Sequence, residues 1–182
     1  NLGYEIAINV MQISERSQEE ILNVADKIKK LNVDVLYFAD SLGSLEPKKI
    51  KKIISTIKKK WKGEIGIHTH DNIGKALDNS LTALNNGVTW VDTTVLGMGR
   101  GPGNTKTELA ILEFNKLKNE YNHNNIKLLE LIDKWFTPLK IKYNWGSNTF
   151  YYLAGMKSIH PSYIQEMIGD PTFSNKKILE NL

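Results

Sequence analysis

Cysteine is absent from the 182-residue sequence. Disulfide frameworks, thiolate zinc sites, iron–sulfur clusters and a cysteine nucleophile are therefore excluded. The sequence also has no apolar run near the roughly 18 residues of a membrane span, and its amino end lacks the basic-then-apolar layout of a secretory signal. These absences favour a cytoplasmic globular protein without a membrane partner.

Arginine is scarce, because Arg16 and Arg100 are the only two among 24 basic residues, against 20 acidic ones. The densest basic run, 47–61, also carries apolar residues at helical spacing: Ile50, Ile53, Ile54, Ile57 and Trp61. Its lysines are therefore predicted to lie on the solvent face of a helix. Few arginines, and no aromatic residues interleaved with the lysines, argue against a nucleic-acid partner.

A repeat of short apolar segments is present instead. Segments rich in β-branched and aromatic residues begin about thirty residues apart, the length of one βα unit, at 4–10, 33–39, 64–70 and 89–95. Helical patterns separate them, beginning at the capping-box pair Ser17 and Glu20, at Pro47 and near Gly74, with Gly87 as the expected C-cap of the third helix. The alternation predicts an α/β fold with a parallel sheet, either half of a (β/α)8 barrel or a small open sheet.

Two histidines close the third predicted strand, in Gly66-Ile-His-Thr-His-Asp-Asn72. His68 and His70 are two residues apart, so their side chains lie on the same face of a strand. Two imidazoles at the carboxyl end of a sheet suit a divalent metal with further oxygen ligands. Two packed or hydrogen-bonded histidines are the alternative. Asp71 could orient a histidine or cap the next helix.

Other polar residues follow the second strand or lie in the fourth. Asp40 and Ser41 come directly after the second strand, and Asp92 lies in the fourth. Each could cap a helix or turn. Ser41 is also placed to donate a hydrogen bond to a bound carboxylate.

A glycine-rich segment, 97–104, follows the fourth strand. Its alternating glycines match neither the dinucleotide fingerprint nor the phosphate-binding loop. The segment is either a plain loop or one that brings backbone amides, Arg100 and Asn104 close to an anionic ligand.

Taken together, in order and spacing, these segments resemble the HMG-CoA-lyase-like (pyruvate carboxyltransferase domain) metal-dependent TIM-barrel family, most closely its 4-hydroxy-2-oxovalerate aldolase branch. The resemblance covers residues 1 to about 115 through the matching segments 3–14, 39–43, 66–72, 79–80, 87–92 and 97–104. It implies a (β/α)8 TIM barrel, of which residues 1–120 match the second half, followed by a helical extension over 121–182.

The resemblance implies a divalent-metal-dependent aldolase that cleaves or forms a carbon–carbon bond next to a 2-oxo acid such as pyruvate, via a metal-stabilised enolate. It implies that His68 and His70 bind the metal, that Asn104 lies at or beside it, and that Ser41 holds the substrate carboxylate. Mn²⁺ is the expected cofactor, with Mg²⁺ or Zn²⁺ as alternatives. A homodimer is the expected assembly.

Two features depart from the family. The family's first strand, with its aspartate ligand and arginine, has no counterpart, and the chain begins at Asn1. A missing amino-terminal half-barrel is therefore expected as a partner segment. The family's active-site tyrosine aligns with none of Tyr143, Tyr151 and Tyr152, so the general acid or base is unassigned. The alternatives are a Claisen-type acyl-CoA synthase, similar to isopropylmalate or homocitrate synthases, and a non-catalytic half-barrel binding module.

Overall fold

The computed structural model describes residues 3–119 and 125–182. In these ranges four strands form one parallel sheet in chain order: β1 (Ala7–Val10), β2 (Val35–Asp40), β3 (Glu64–Thr69) and β4 (Trp90–Val91). Helices connect them in turn: α1 (Gln18–Ile28), α2 (Pro47–Ile57) and α3 (Ala76–Asn85). The predicted βα repeat with a parallel sheet is confirmed.

The first and fourth strands are shorter than predicted. Strand β1 covers only the second half of the predicted segment 4–10, and β4 has two residues where seven were expected. The Asp92 N–H still donates to the Ile67 carbonyl at 3.0 Å. The chain then leaves the sheet and forms a 3-10 turn at Val95–Gly97. Gly87 follows the C-cap residue Asn86 and adopts a left-handed φ of 81°, one position later than predicted.

The sheet has one covered face and one open face. Residues alternate between the faces along each strand, and the helix-facing set, Leu36, Phe38, Ile65 and Ile67, is almost completely buried in the main core. On the opposite face Tyr37 and His68 are half-buried, and Asn9 and Trp90 are exposed. Among the described residues β1 pairs only with β2, and β4 only with β3. This arrangement is an open half of a barrel.

The lysine-rich helix α2 packs as its spacing predicts. Ile50, Ile53, Ile54 and Ile57 are buried in the core, whereas Lys48, Lys49, Lys51 and Lys52 are exposed. The solvent-facing assignment of these lysines is confirmed.

After the sheet, the described parts of the chain (107–119 and 125–182) are mainly helical, as predicted. They comprise α4 (Thr107–Lys118), α5 (Asn125–Leu131), a π-helical turn (Ile132–Phe136), α6 (Thr137–Tyr143), α7 (Thr149–Met156), α8 (Pro161–Gly169) and α9 (Asn175–Asn181). None of the helices in the described ranges is long and apolar enough to cross a membrane. The predicted domain boundary between 120 and 121 lies outside the described residues. The segment before α7 packs on the strand-end loops, since Trp145 Nε1 donates to the Leu96 carbonyl at 3.0 Å and Ser147 Oγ to the Asn72 carbonyl at 2.8 Å.

Candidate functional site

Strand β3 carries the two predicted metal ligands to the carboxyl end of the sheet. The ring centroids of His68 and His70 are 5.0 Å apart, with their planes at 72°. Both rings are partly exposed. The i, i+2 spacing therefore brings the two imidazoles together as predicted.

A hydrogen-bond partner holds the Nδ1 atom of each imidazole. His68 Nδ1 lies 2.9 Å from Asp92 Oδ2, and His70 Nδ1 lies 2.8 Å from the Asp40 carbonyl oxygen. An ionised carboxylate and a carbonyl are acceptors only, so each Nδ1 is the donor. In a neutral ring whose Nδ1 carries the proton, Nε2 keeps the lone pair with which imidazole binds a metal. Burial also lowers the pKa of His70, which favours the neutral ring.

Asn104 joins the pair through the glycine-rich loop. Its Nδ2 lies 3.2 Å from His68 Nε2 and donates to the Thr69 carbonyl at 3.0 Å. A side chain on Gly99 would collide with the Asn104 amide oxygen, and one on Gly103, where φ is 80°, would collide with the backbone of the same loop. The alternating glycines therefore allow the loop to fold back onto β3.

Two imidazole nitrogens are the metal-binding groups at this site, and the Asn104 amide lies beside them with its nitrogen turned to His68 and to the Thr69 carbonyl. Within the described ranges, no group of three or more histidine, aspartate or glutamate side chains is arranged to hold a metal ion. Imidazole with amide or carboxylate oxygens suits several divalent cations. The residues present fit such a cation if additional oxygen ligands come from outside these ranges.

Asp92 and Tyr37 form a contact that sequence reasoning missed. A capping role was one possibility for Asp92, but its carboxylate faces His68. Burial, with the charge of Asp92 and a hydrogen bond to it, raises the pKa of Tyr37 to about 12. The Tyr37 ring lies over Gly66, where a Cβ would overlap it. The strand register could have indicated this contact. Tyr37 and Gly66 are paired positions on neighbouring strands, and both lie on the same face of the sheet as His68.

Asp40 and Ser41 organise the loop after β2. The Asp40 carboxyl is fully buried and accepts hydrogen bonds from the backbone N–H groups of Ser44 and Leu45, at 3.2 and 3.1 Å, and burial raises its pKa to about 6. Ser41 is buried, and its Oγ accepts the Gln12 N–H at 2.9 Å. Asp40 thus takes the capping role foreseen for it. Contact between Ser41 and a substrate stays a prediction.

Asp71 caps the following helix and does not orient a histidine. Its Oδ1 accepts the Ala76 N–H at the start of α3, at 3.0 Å. Burial raises the pKa of this carboxyl. Of the two roles foreseen for Asp71, the structure has the helix cap.

Of the three tyrosines considered earlier, Tyr151 alone lies under the glycine-rich loop. Tyr151 is 6% exposed, against 64% for Tyr143 and 47% for Tyr152. A Cβ on Gly101 would lie 3.2 Å from the Tyr151 ring and 3.3 Å from its hydroxyl. Burial raises the pKa of Tyr151, while the positive charge of Arg100 lowers it. Burial lowers the pKa values of His70 and His160, and the positive charge of Arg100 lowers them further.

Comparison with known sequences identifies a family and several relatives. The model of the family described as HMGL-like matches residues 1–134. A 4-hydroxy-2-oxovalerate aldolase from Carboxydothermus hydrogenoformans is 31% identical over 138 residues, which cover 75% of this chain and 41% of that protein. The protein of the same name from Geobacillus genomosp. 3 is 32% identical over 138 residues, covering 76% and 41% respectively. The chain thus spans about two fifths of the length of these relatives.

Solved structures also superpose on this chain. The N-terminal domain of a protein assigned as an aldolase from Bacteroides vulgatus superposes with a TM-score of 0.84 and 34% identity, covering 99% of this chain and 58% of that one. The carboxyl transferase domain of Rhizobium etli pyruvate carboxylase, with pyruvate and biocytin, gives a TM-score of 0.66 at 16% identity, covering 92% and 31%. At that identity the second likeness speaks for the fold alone.

Proposed function

The chain belongs to the HMGL-like family, and from that premise we propose that it is the metal-binding half of a divalent-metal-dependent aldolase acting on a 2-oxo acid such as pyruvate. The observation that carries the proposal is the pair His68 and His70, each with Nδ1 anchored by an acceptor. The Nε2 of His68 faces the Asn104 side-chain N–H, which a bound cation would displace. The aldolase names of the relatives support the reaction class. Because the chain spans 41% of their length, a complementary half-barrel would supply the remaining strands.

We assign His68 Nε2 and His70 Nε2 as metal ligands, with Asn104 beside them. Mn²⁺ is the first choice, and Mg²⁺ or Zn²⁺ are alternatives. A bound cation would supply Lewis-acid chemistry, polarising the keto group of the 2-oxo acid and favouring bond cleavage at the neighbouring carbon. Asp92 and the Asp40 carbonyl fix the tautomer and direction of the two rings.

Substrate binding and proton transfer are assigned to three further residues. Ser41 Oγ accepts the Gln12 N–H, so its own hydrogen is available for the substrate carboxylate. Arg100 adds positive charge on the His70 side of the site. A phenol is protonated at neutral pH, Tyr151 lies under the glycine-rich loop, and we propose its hydroxyl as the proton donor.

A non-catalytic binding module is the second candidate. It is favoured by one observation, the lack of a third histidine or carboxylate in a metal-holding group within the described ranges. In that case the half-barrel would bind a ligand or partner through its open sheet face without turning over a substrate.

A Mn²⁺ titration tests the metal site directly. The variant His68→Ala/His70→Ala should lose the binding that the parent chain shows, because it lacks both Nε2 ligands. Lys75→Ala/Asp78→Ala is the control, because it also removes two side chains, and these two exposed residues pair with each other at 3.1 Å at the start of α3. Equal Mn²⁺ affinity in the parent and the double variant would refute the assignment.

Deuterium exchange at the pyruvate methyl group tests the reaction class. The chain would be mixed with the amino-terminal half-barrel of the Carboxydothermus hydrogenoformans relative, and exchange in D₂O followed by NMR. An aldolase should exchange these protons in a manner that requires His68 and His70. A Claisen-type synthase would not readily enolise free pyruvate. Histidine-dependent Mn²⁺ binding without exchange would favour the binding module.

A further inference from the structure

A cavity of about 280 Å³ lies between the amino end of α1 and helix α2, on the helix-covered side of the sheet. This volume is just below the range of about 300–1,000 Å³ that is typical of small-molecule sites, which restricts the cavity to a small ligand. Its floor is apolar, formed by Ile13, Ile21, Leu45 and Ile53, and its rim is polar. The cavity shares no lining residue with the histidine site.

The rim of the cavity is strongly positive. Arg16, Lys49 and Lys52 line it, and no aspartate or glutamate is among its lining residues. Within residues 3–119 and 125–182, none of these three cations takes part in a salt bridge. Arg16 Nε donates to the Met11 carbonyl at 3.3 Å, which leaves the terminal guanidinium nitrogens for another acceptor. The charges of Arg16 and Lys49 reach Glu20 and Asp40 and act to lower their pKa values, after the larger effects of hydrogen bonds and of burial respectively, but neither carboxylate lines the cavity. Three cations around one concavity attract an anion.

Two hydroxyl groups add hydrogen-bond donors. Ser14 lines the cavity, and its Oγ is buried without a hydrogen-bond partner in the described part of the chain. Such an atom costs stability unless something pairs with it. Ser17 also lines the cavity, and its Oγ accepts the Glu20 N–H at 3.2 Å, so its hydrogen is available to a ligand.

We propose that this cavity binds a phosphate monoester, with the phosphate among Arg16, Lys49 and Lys52 and the organic part on the apolar floor. A dianion with several acceptor oxygens matches three cations and two hydroxyls better than a single carboxylate does. Ile13, which lines the cavity, directly follows Gln12 in the chain. The Gln12 N–H donates to Ser41 Oγ at 2.9 Å. An occupied cavity would therefore stabilise the segment that also positions Ser41.

Phosphate binding to the full chain tests the proposal, with inorganic phosphate and glycerol 3-phosphate as probes in isothermal titration. The variant Lys49→Gln/Lys52→Gln should bind inorganic phosphate and glycerol 3-phosphate about tenfold or more weakly, because charge-assisted hydrogen bonds are lost. Lys48→Gln/Lys51→Gln is the matched control, with the same helix and the same change in net charge, but neither residue lines the cavity. Its affinity should equal that of the parent chain.

Ser14→Ala provides a second variant that should fold normally. Ser14 Oγ has no protein partner, so its removal should leave the urea midpoint unchanged or higher while phosphate affinity falls. Acetate, a monoanion, should compete poorly, and sulfate well. No detectable binding of either probe, an equal loss in the two lysine pairs, or competition by acetate as strong as by sulfate would overturn the proposal.

Discussion

His68 Nδ1 and Asp92 Oδ2 are 2.9 Å apart, although 24 residues separate them in the chain. The contact crosses from β3 to the residue that follows β4, so it depends on the pairing of these two strands. It fixes the ring of His68 with Nε2 directed to Asn104. The same carboxylate raises the pKa of Tyr37, after the larger effect of burial. Asp92 thus interacts both with the candidate ligand His68 and with Tyr37 on the open face of the sheet.

Removal of the Asp92 carboxylate should weaken metal binding without removing a ligand. Mutation of a partner that orients a ligating histidine typically lowers metal affinity about 10–100-fold. We expect a Mn²⁺ titration of Asp92→Ala to show a loss of affinity in this range. Asp78→Ala is the control, because Asp78 is an exposed carboxylate paired with Lys75 at 3.1 Å on α3. Equal affinity of Asp92→Ala and the parent chain would show that Asp92 does not position His68.

Tyr37 should make stability fall at alkaline pH. Its folded-state pKa is raised from 10.0 to about 12, so between these values the unfolded chain has lost the phenol proton and the folded chain has kept it. Because the folded state then binds more protons, the free energy of unfolding decreases as pH rises from 10 towards 12. Urea unfolding at several pH values should show a shallower decrease in Tyr37→Phe. Parallel curves for the two proteins would contradict the shift.

The repeat and the histidine pair could be predicted because both depend on short-range periodicity. The β-branched segments recur at the length of a βα unit, and His68 and His70 share a face through their two-residue spacing. The partners of these histidines could not be predicted. Asp92 reaches His68 only through strand pairing, and the group that holds His70 is the backbone carbonyl of Asp40, which no residue type reveals.

Gly66 should tolerate no side chain. A methyl group there would overlap the Tyr37 ring, and overpacking of this kind costs about 1–3 kcal/mol. Gly66→Ala should therefore lower the free energy of unfolding in urea by that amount, and should move the Tyr37 pKa back towards its ordinary value as the ring shifts from Asp92. Gly169→Ala is the control, because nothing lies within 4 Å of a Cβ at that position. Equal unfolding midpoints for the two variants would show that the ring adapts freely.

Ser41 should contribute to stability even without substrate. Its Oγ accepts the N–H of Gln12, a non-glycine residue in the left-handed region with φ of 53°. Ser41→Ala removes this part-buried hydrogen bond, and a hydrogen bond of ordinary strength contributes about 0.5–1.5 kcal/mol. Ser44→Ala is the control in the same turn, because Ser44 contributes its backbone N–H to Asp40.

The two roles assigned to Ser41 can be separated by measuring different states. Urea unfolding of the free chain reports the Gln12 contact, whereas KM for pyruvate in the complemented enzyme reports substrate binding. If Ser41 performs both roles, Ser41→Ala lowers the free energy of unfolding and raises KM, while Ser44→Ala changes neither. An unchanged KM would confine Ser41 to holding Gln12. An unchanged free energy of unfolding would mean that water replaces the serine as acceptor.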